Sequence, residues 1–439
     1  MQTRLEGVAA KARKETKLVF TSLCHHITKE LILESLIHTP TNTAVGIDGI
    51  DVRTARETFD EWIKEMETSI HRRSYRAPAV RRVWIPKPGK EEKRPIGVPC
   101  VADRALQRSV TTVLNAIYEE DFLNCSFGGR PGRGAHNALT TMNEIIMGRN
   151  ISWVFEADLK NFFGSLDHGW LLRFVEYRVG DPRILSLIRK WLKAGVMEDG
   201  VYEESETGTP QGGSISVLLS NIYLHYVLDL WFEKAIKPRL KGECYLIRYI
   251  DDFIVCFENK SDAERFINVL EKRLAKFALT LEPDKTRLIE FGRTAQKNAR
   301  ANNRKPETLY FLGFTHYCTR SRKGNFLIGR KTEKSRLKRS INKLQNRMRE
   351  MRHLKVKEQV DKINQIVRGH YNYYGMGGNS RTLTKIYDKV KLFLKKMLSS
   401  RSRKGKVSWE LFGLIMRKHP ILRPYLKIPY VEFKKYAML

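Results

Sequence analysis

Two apolar runs, Leu246-Ile247 and Ile254-Val255-Cys256-Phe257, flank the short box Tyr249-Ile250-Asp251-Asp252-Phe253. Two β-favouring runs joined by a tight acidic turn predict a β-hairpin, with adjacent carboxylates at its tip. Uncompensated negative charge in an apolar setting is expensive, so such a tip makes chemical sense where divalent cations bind. Taken alone the box reads more simply as a solvated turn, because Asp is a favoured turn residue. The rest of the chain decides between the two.

The strongest bias elsewhere is charge. The chain carries +32 in total, and the segment from Arg320 to Leu439 has 33 Lys and Arg against 7 Asp and Glu, so +26 falls there. A one-sign field of that size attracts a polyanion, nucleic acid first and an anionic membrane second. There is no apolar run long enough to span a bilayer and no apolar stretch of the signal-peptide kind at the N-terminus, so no membrane partner and no secretion are expected. With 42% hydrophobic residues in 439 the chain is globular rather than disordered. The six cysteines are scattered, without a C-x-x-C pair, which argues against a zinc ribbon or a disulfide framework and fits reduced thiols in a cytoplasm.

Periodicity sets the order of elements. Ile27, Leu31, Ile32, Leu36 and Ile37 predict one apolar helix face, and Gly46-Ile47-Asp48-Gly49 interrupts the helical pattern. Helices are expected over 53–71, 103–119, 168–178, 182–192, 217–231 and 261–277, and strands at Val83–Pro86 and Trp153–Phe155. The polar stretch 292–307 reads as a linker and Tyr310–Phe314 as a short buried strand. Over 331–352, Leu337, Ile341, Leu344, Met348 and Met351 form one apolar seam, with lysines and arginines elsewhere on the helix.

Three further constellations carry chemistry. Asp158 ends an apolar strand, and with Asp251 and Asp252 it forms a carboxylate cluster if the two strands are sheet neighbours. Converging carboxylates bind Mg²⁺, and two such ions clamp the oxygens of an in-line phosphoryl displacement. Asp158 and Asp251 are expected to be the main ligands and Asp252 accessory, since neighbouring side chains alternate. Gly208-Thr209-Pro210-Gln211-Gly212-Gly213 leads into a helix, which offers exposed N–H groups for phosphates or is merely an entry loop capped by Ser214 or Ser216. Lys87 and Arg94 frame a basic turn, ordinarily solvated surface.

These boxes in this order resemble reverse transcriptases, specifically the bacterial group II intron and intron-like enzymes of maturase type. The likeness runs from about Phe20 to at least Gly378 and adds Ser126–His136, Leu281–Thr286 and Phe311–Phe314, then Tyr373-Tyr374-Gly375 in a thumb-like region. It implies an α+β right-hand polymerase: an N-terminal extension over 1–40, fingers and palm over 41–318, a helical thumb over 319–390 and a basic segment over 391–439. By position it makes Asp158, Asp251 and Asp252 catalytic and metal-binding, with the Leu159 carbonyl as a further ligand of two Mg²⁺, for which Mn²⁺ substitutes. Lys87, Arg94, Phe163, Gln211 and Lys285 fall where the family contacts the incoming dNTP. Phe163 is placed as the gate against a ribose 2′-OH, although Phe162 and Phe163 are both apolar and one belongs to the core.

The implied activity is RNA-directed DNA synthesis from a primer 3′-OH on an RNA or DNA template, and the implied partners are RNA–DNA or DNA duplex and dNTPs. A splicing cofactor that binds group II intron RNA is the competing expectation. Two departures stand out. Ile250 replaces the family's usual Ala and is expected to face the primer end, as in intron-like enzymes with host roles such as DNA repair. Gly129 stands where an aromatic is common. The absence of a Cys/His-rich endonuclease module argues against target cleavage.

Overall fold

A computed structural model describes residues 2–86, 91–198, 200–204, 206–209, 212–401 and 405–439. Its centre is a four-stranded antiparallel sheet, built from β3 (Trp153–Asp158), β6 (Cys244–Tyr249), β7 (Asp252–Phe257) and β8 (Arg287–Glu290) in the order β6-β7-β3-β8. Side chains alternate along a strand, and here the two sets enter two different cores. Phe155, Ala157, Phe253, Val255 and Phe257 pack beneath helices such as Val101–Asp121, Ser216–Leu224 and Lys260–Ala275, whereas Val154, Ile254, Cys256 and Ile289 join the helix Ala135–Gly148 on the other face. Burial on both faces explains why β7 reads as a continuous apolar run.

A second sheet, β1 (Val80–Pro86), β2 (Lys93–Val98), β4 (Val196–Glu198) and β5 (Val201–Glu203), has the order β2-β1-β4-β5 and lies in the stretch expected to include the fingers. The third comprises β9 (Thr308–Phe311), β10 (Phe314–Arg320) and β11 (Phe326–Thr332). Three long helices, Lys334–Glu350, Val356–Tyr374 and Ser380–Ser399, follow in and just beyond the stretch expected to be the thumb, around their own core of Leu344, Val367, Ile386 and Leu394. Local chemistry marks several helix starts. Asp167 and Asp181 accept N–H bonds from Trp170 and Arg183, at 2.7 and 2.9 Å, and Pro182 opens the second of these helices.

Four expectations change. Tyr310–Phe314 is not one strand: β9 ends at Phe311, Leu312-Gly313 make the turn, and β10 begins at Phe314. Leu312 and Gly313 adopt φ of 48° and 81°, the backbone that a two-residue hairpin loop requires, and a leucine there does not announce it. The stretch 292–307 contains the helix Ala295–Ala301, whose Ala295 and Ala299 are buried; a stripe of two small residues is lost in polar surroundings. Ile37 ends its helix turned to solvent, 56% exposed. The helix from Ser216 has Ile215 at its N-cap without a side-chain cap, and it continues through π-helical turns at His225–Asp229 and Phe232–Ile236.

The C-terminal residues fold back rather than extend. Ile428 exchanges backbone hydrogen bonds with Gly375 and Gly377, Asn137 donates to the Tyr436 carbonyl and Met438 N–H to Thr141. Phe433 is 1% exposed and lies 4.5 Å from the guanidinium of buried Arg330, which donates to Asn143. This clasp joins the thumb, the third sheet and the helix Ala135–Gly148. We predict that Phe433→Ala lowers the unfolding free energy by about 3–5 kcal/mol. Val431→Ala, at a position 90% exposed, should move it by about 0.5 kcal/mol or less; urea melts of both variants check this.

Candidate active site

Strand register assembles the carboxylates. Asp158 lies directly opposite Asp252 across the β3–β7 ladder, and Asp251 sits in the two-residue turn that joins β6 to β7. Residues directly opposite in an antiparallel pair share a face, so Asp158 and Asp252 point the same way at one end of the sheet. Burial, then the charge of Asp158, pushes the Asp251 carboxyl up to about 6. Burial, then Asp158 and Asp251, holds Asp252 well above the ordinary carboxylate range.

Cations partly offset this crowding. Lys285, on the short turn Pro283–Lys285, ion-pairs with Asp158. Its burial alone would lower its pKa, but the bond to Asp158 raises it above the usual lysine value. Arg94, exposed on β2, acts on Asp251 through its charge and favours the ionised form. Glu156, two residues before Asp158 on the same face, is neutralised by Arg287 at 2.7 Å.

The flanking loops close on the same end. Phe162 is in the core at 2% exposure while Phe163 lies at its margin. The Phe163 carbonyl accepts the Thr209 N–H at 2.7 Å and the Leu166 carbonyl that of Gly208 at 2.8 Å. Gly212, at φ 130°, approaches so closely that a Cβ would lie 2.4 Å from the Gly97 carbonyl on β2. The loop therefore bridges the Phe163 segment and the strand bearing Arg94. Leu159 is buried and forms an isolated bridge to Leu281. Lys87 and Gln211 lie outside the described residues. Ile250 is half-buried beside Gly128, where a Cβ would come within 2.7 Å of its Cγ1.

Sequence reasoning passed over the residues that support this turn. Arg248 is fully buried and ion-paired with Asp229 at 2.6 Å, and it also bonds Asn221 and Ser126. An Arg inside an otherwise apolar strand is the signal that was present, since a buried charge demands a partner. Gly129 also finds its reason: its φ is 70° and a Cβ would lie 2.1 Å from Val217 Cγ1, leaving no room for an aromatic side chain.

The donor set suits a hard divalent cation, being all oxygen and electrostatically unsatisfied. Among the described residues no group of three or more His, Cys, Asp or Glu side chains is placed so as to hold a metal ion.

An antiparallel palm sheet with carboxylates at one end, a fingers sheet above and a three-helix thumb defines a right-hand polymerase. The chain belongs to the reverse transcriptase (RNA-dependent DNA polymerase) family, which matches residues 85–316, and residues 336–412 match the group II intron, maturase-specific domain. It is 30% identical over 302 residues to the group II intron-encoded protein LtrA of Lactococcus lactis subsp. cremoris, covering 66% of this chain and 50% of that protein. Similarity to protein YkfC of Escherichia coli (strain K12) is 34% over 287 residues, covering 57% and 72% respectively. The nuclear intron maturase 3, mitochondrial, of Arabidopsis thaliana is 24% identical over 203 residues, 40% of this chain and 28% of that protein. The chain thus spans about half the length of the L. lactis relative.

Because the folded-state pKa of Asp251 lies above its unfolded value, its contribution to stability is fullest below about pH 4 and is lost as pH rises through about 6. We predict that Asp251→Asn, measured without divalent metal, is more stable than wild type at about pH 8 by on the order of 1–2 kcal/mol, with no gain at about pH 4. Thermal melts across pH check this, and added Mg²⁺ should raise the wild-type melting temperature more than that of the variant.

Proposed function

We propose that this chain is an RNA-directed DNA polymerase that extends a primer 3′-OH with dNTPs and also copies DNA templates. The observation that carries the reading is the convergence of Asp158, Asp251 and Asp252 at one end of a palm sheet in a strongly basic chain. Asp158, Asp251, Asp252 and the Leu159 carbonyl would hold two Mg²⁺, or Mn²⁺ in their place. When bound, these ions supply charge neutralisation for the attacking and leaving oxygens of an in-line displacement. The protein itself does the holding and orienting. Arg94 and Lys87 receive the triphosphate, Lys285 balances charge beside Asp158, Gln211 contacts the nucleotide and Phe163 excludes a ribose 2′-OH. The basic thumb tracks the phosphates of an A-form duplex by shape rather than sequence.

The match to the maturase-specific domain over 336–412 supports a second reading, a splicing or mobility cofactor that binds group II intron RNA. Ile250 in place of the family's usual Ala resembles intron-like enzymes with host roles such as DNA repair synthesis, and it changes the side chain offered to the primer end while leaving the carboxylates intact. Primer extension on annealed and on barely paired 3′ ends, for wild type and Ile250→Ala, tests whether Ile250 seats the primer end: a changed ratio between substrates supports it, and equal rates with only thermal stability altered leave Ile250 as packing.

Asp158→Ala and Asp251→Ala are expected to lower Mg²⁺-dependent extension by on the order of a thousandfold or more while duplex affinity stays nearly unchanged, since affinity resides in distant Lys and Arg. Extension assays beside binding isotherms decide this, and wild-type synthesis by either variant overturns the assignment. Binding should also weaken with salt by roughly 0.9 logarithmic units of slope per phosphate contacted. Arg339→Gln, Lys343→Gln and Arg347→Gln together, on the outer face of the first thumb helix, should reduce that slope by roughly 2–3.

A further inference from the structure

Arg248 lies two residues ahead of the hairpin tip, and its side chain has no solvent exposure. Its five N–H donors all have acceptors. Nε and Nη2 reach the two carboxylate oxygens of Asp229 at 2.8 and 2.6 Å, Nη2 also reaches Ser126 Oγ at 2.8 Å, and Nη1 donates to Asn221 Oδ1 and to the Ile250 carbonyl, both at 3.0 Å. Ile250 has φ 59°, a left-handed backbone that a β-branched residue adopts only under constraint. The carbonyl of that strained residue is the one the guanidinium takes, and the next residue is Asp251.

The partner side is built for the same purpose. Asp229 arrives at the end of the π-helical turn His225–Asp229, a wider turn frequent at functional sites. Asn221, one helix segment earlier, also donates to the Gly128 carbonyl at 2.8 Å, and Gly128 is the residue against which Ile250 rests. A buried ion pair by itself is weak evidence for stability, since apolar residues of similar volume often serve as well. What an apolar pair cannot supply is the hydrogen bond to the Ile250 carbonyl.

We propose that Arg248, anchored by Asp229, is a positioning residue whose hydrogen bond to the Ile250 carbonyl fixes the strained hairpin tip and thereby aims the Asp251 carboxylate at its metal. The inference rests on Asp251 being a metal ligand, as proposed above. Its signature is coupling between Arg248 and the backbone strain at position 250, which a purely structural pair does not produce.

A double-mutant cycle on the full chain tests it, with Mn²⁺ affinity read by electron paramagnetic resonance and folding by thermal melts. Arg248→Lys keeps the charge but loses the fork that serves Asp229 and Ile250 together, and it should weaken Mn²⁺ binding about 10-fold. Glycine takes positive φ freely, so in an Ile250→Gly background the same change should cost about threefold or less. Equal losses in the two backgrounds, or a folded Arg248→Lys with wild-type Mn²⁺ affinity, overturn the proposal. Should Arg248→Lys fail to fold, Ser126→Ala removes one acceptor of the guanidinium. It should show a smaller loss that vanishes in the Ile250→Gly background, and no loss, or a loss that persists there, overturns the proposal. A wild-type chain that shows the coupling yet extends no primer overturns the polymerase reading alone, and one that binds no Mn²⁺ overturns both.

Discussion

The constraint from which the rest follows is the electrostatic cost of gathering carboxylates at one end of a buried sheet. Asp158 and Asp252 face each other across a ladder, with Asp251 in the adjoining turn; the charge of Asp158 makes ionisation of Asp251 and Asp252 harder, and that of Asp251 adds to the effect on Asp252. A fold selected only for stability has no reason to keep them together, because apolar or paired residues would pack there at lower cost. The surroundings answer that cost locally: Lys285 on Asp158, Arg287 on Glu156 and the field of Arg94 on Asp251. The compensation is incomplete, and the remaining negative potential is what an entering cation would discharge.

The scaffold makes this arrangement tolerable by being rigid on both sides. Each face of the palm sheet enters its own core, so neither Asp-bearing strand end can tilt without disturbing tightly packed side chains. Close backbone approaches add to the stiffness. Gly128 admits Ile250, Gly129 admits Val217, and Gly212 rests on Gly97 of the fingers. The C-terminal clasp through Phe433 and Arg330 then links the thumb back to the helix Ala135–Gly148, so the basic thumb helices and the palm are held in one body.

Much of the site was legible because its signals are local. Carboxylates beside apolar strands, a glycine-bearing loop before a helix, and cations in a turn depend on residue type and spacing alone. The supporting shell was not legible for the opposite reason. Arg248 meets Asp229, Asn221 and Ser126, partners 19, 27 and 122 residues away in the chain that only the tertiary fold brings together. Lys285 could be placed near the site by resemblance, but its pairing with Asp158 rather than Asp251 or Asp252 is a matter of strand geometry. The turn at Leu312 was missed because only its second residue, Gly313, is a turn former, while Leu312 beside it continues the apolar run and adopts a left-handed backbone all the same.

The sequence by itself determined the alternation of elements and the concentration of positive charge beyond Arg320, since these are properties of composition and periodicity, and the order of its motif boxes supplied the class of chemistry through their family resemblance. It also determined that one of Phe162 and Phe163 must be core, though not which. Tertiary structure decided that Phe162 is buried and Phe163 marginal, that Asp252 rather than Asp251 stands opposite Asp158, and that the C-terminal residues return to the palm. The physical reason is common to all three. A side chain's face is fixed by its own strand or helix, but what that face meets is fixed by pairing register and packing, which join residues far apart in the chain.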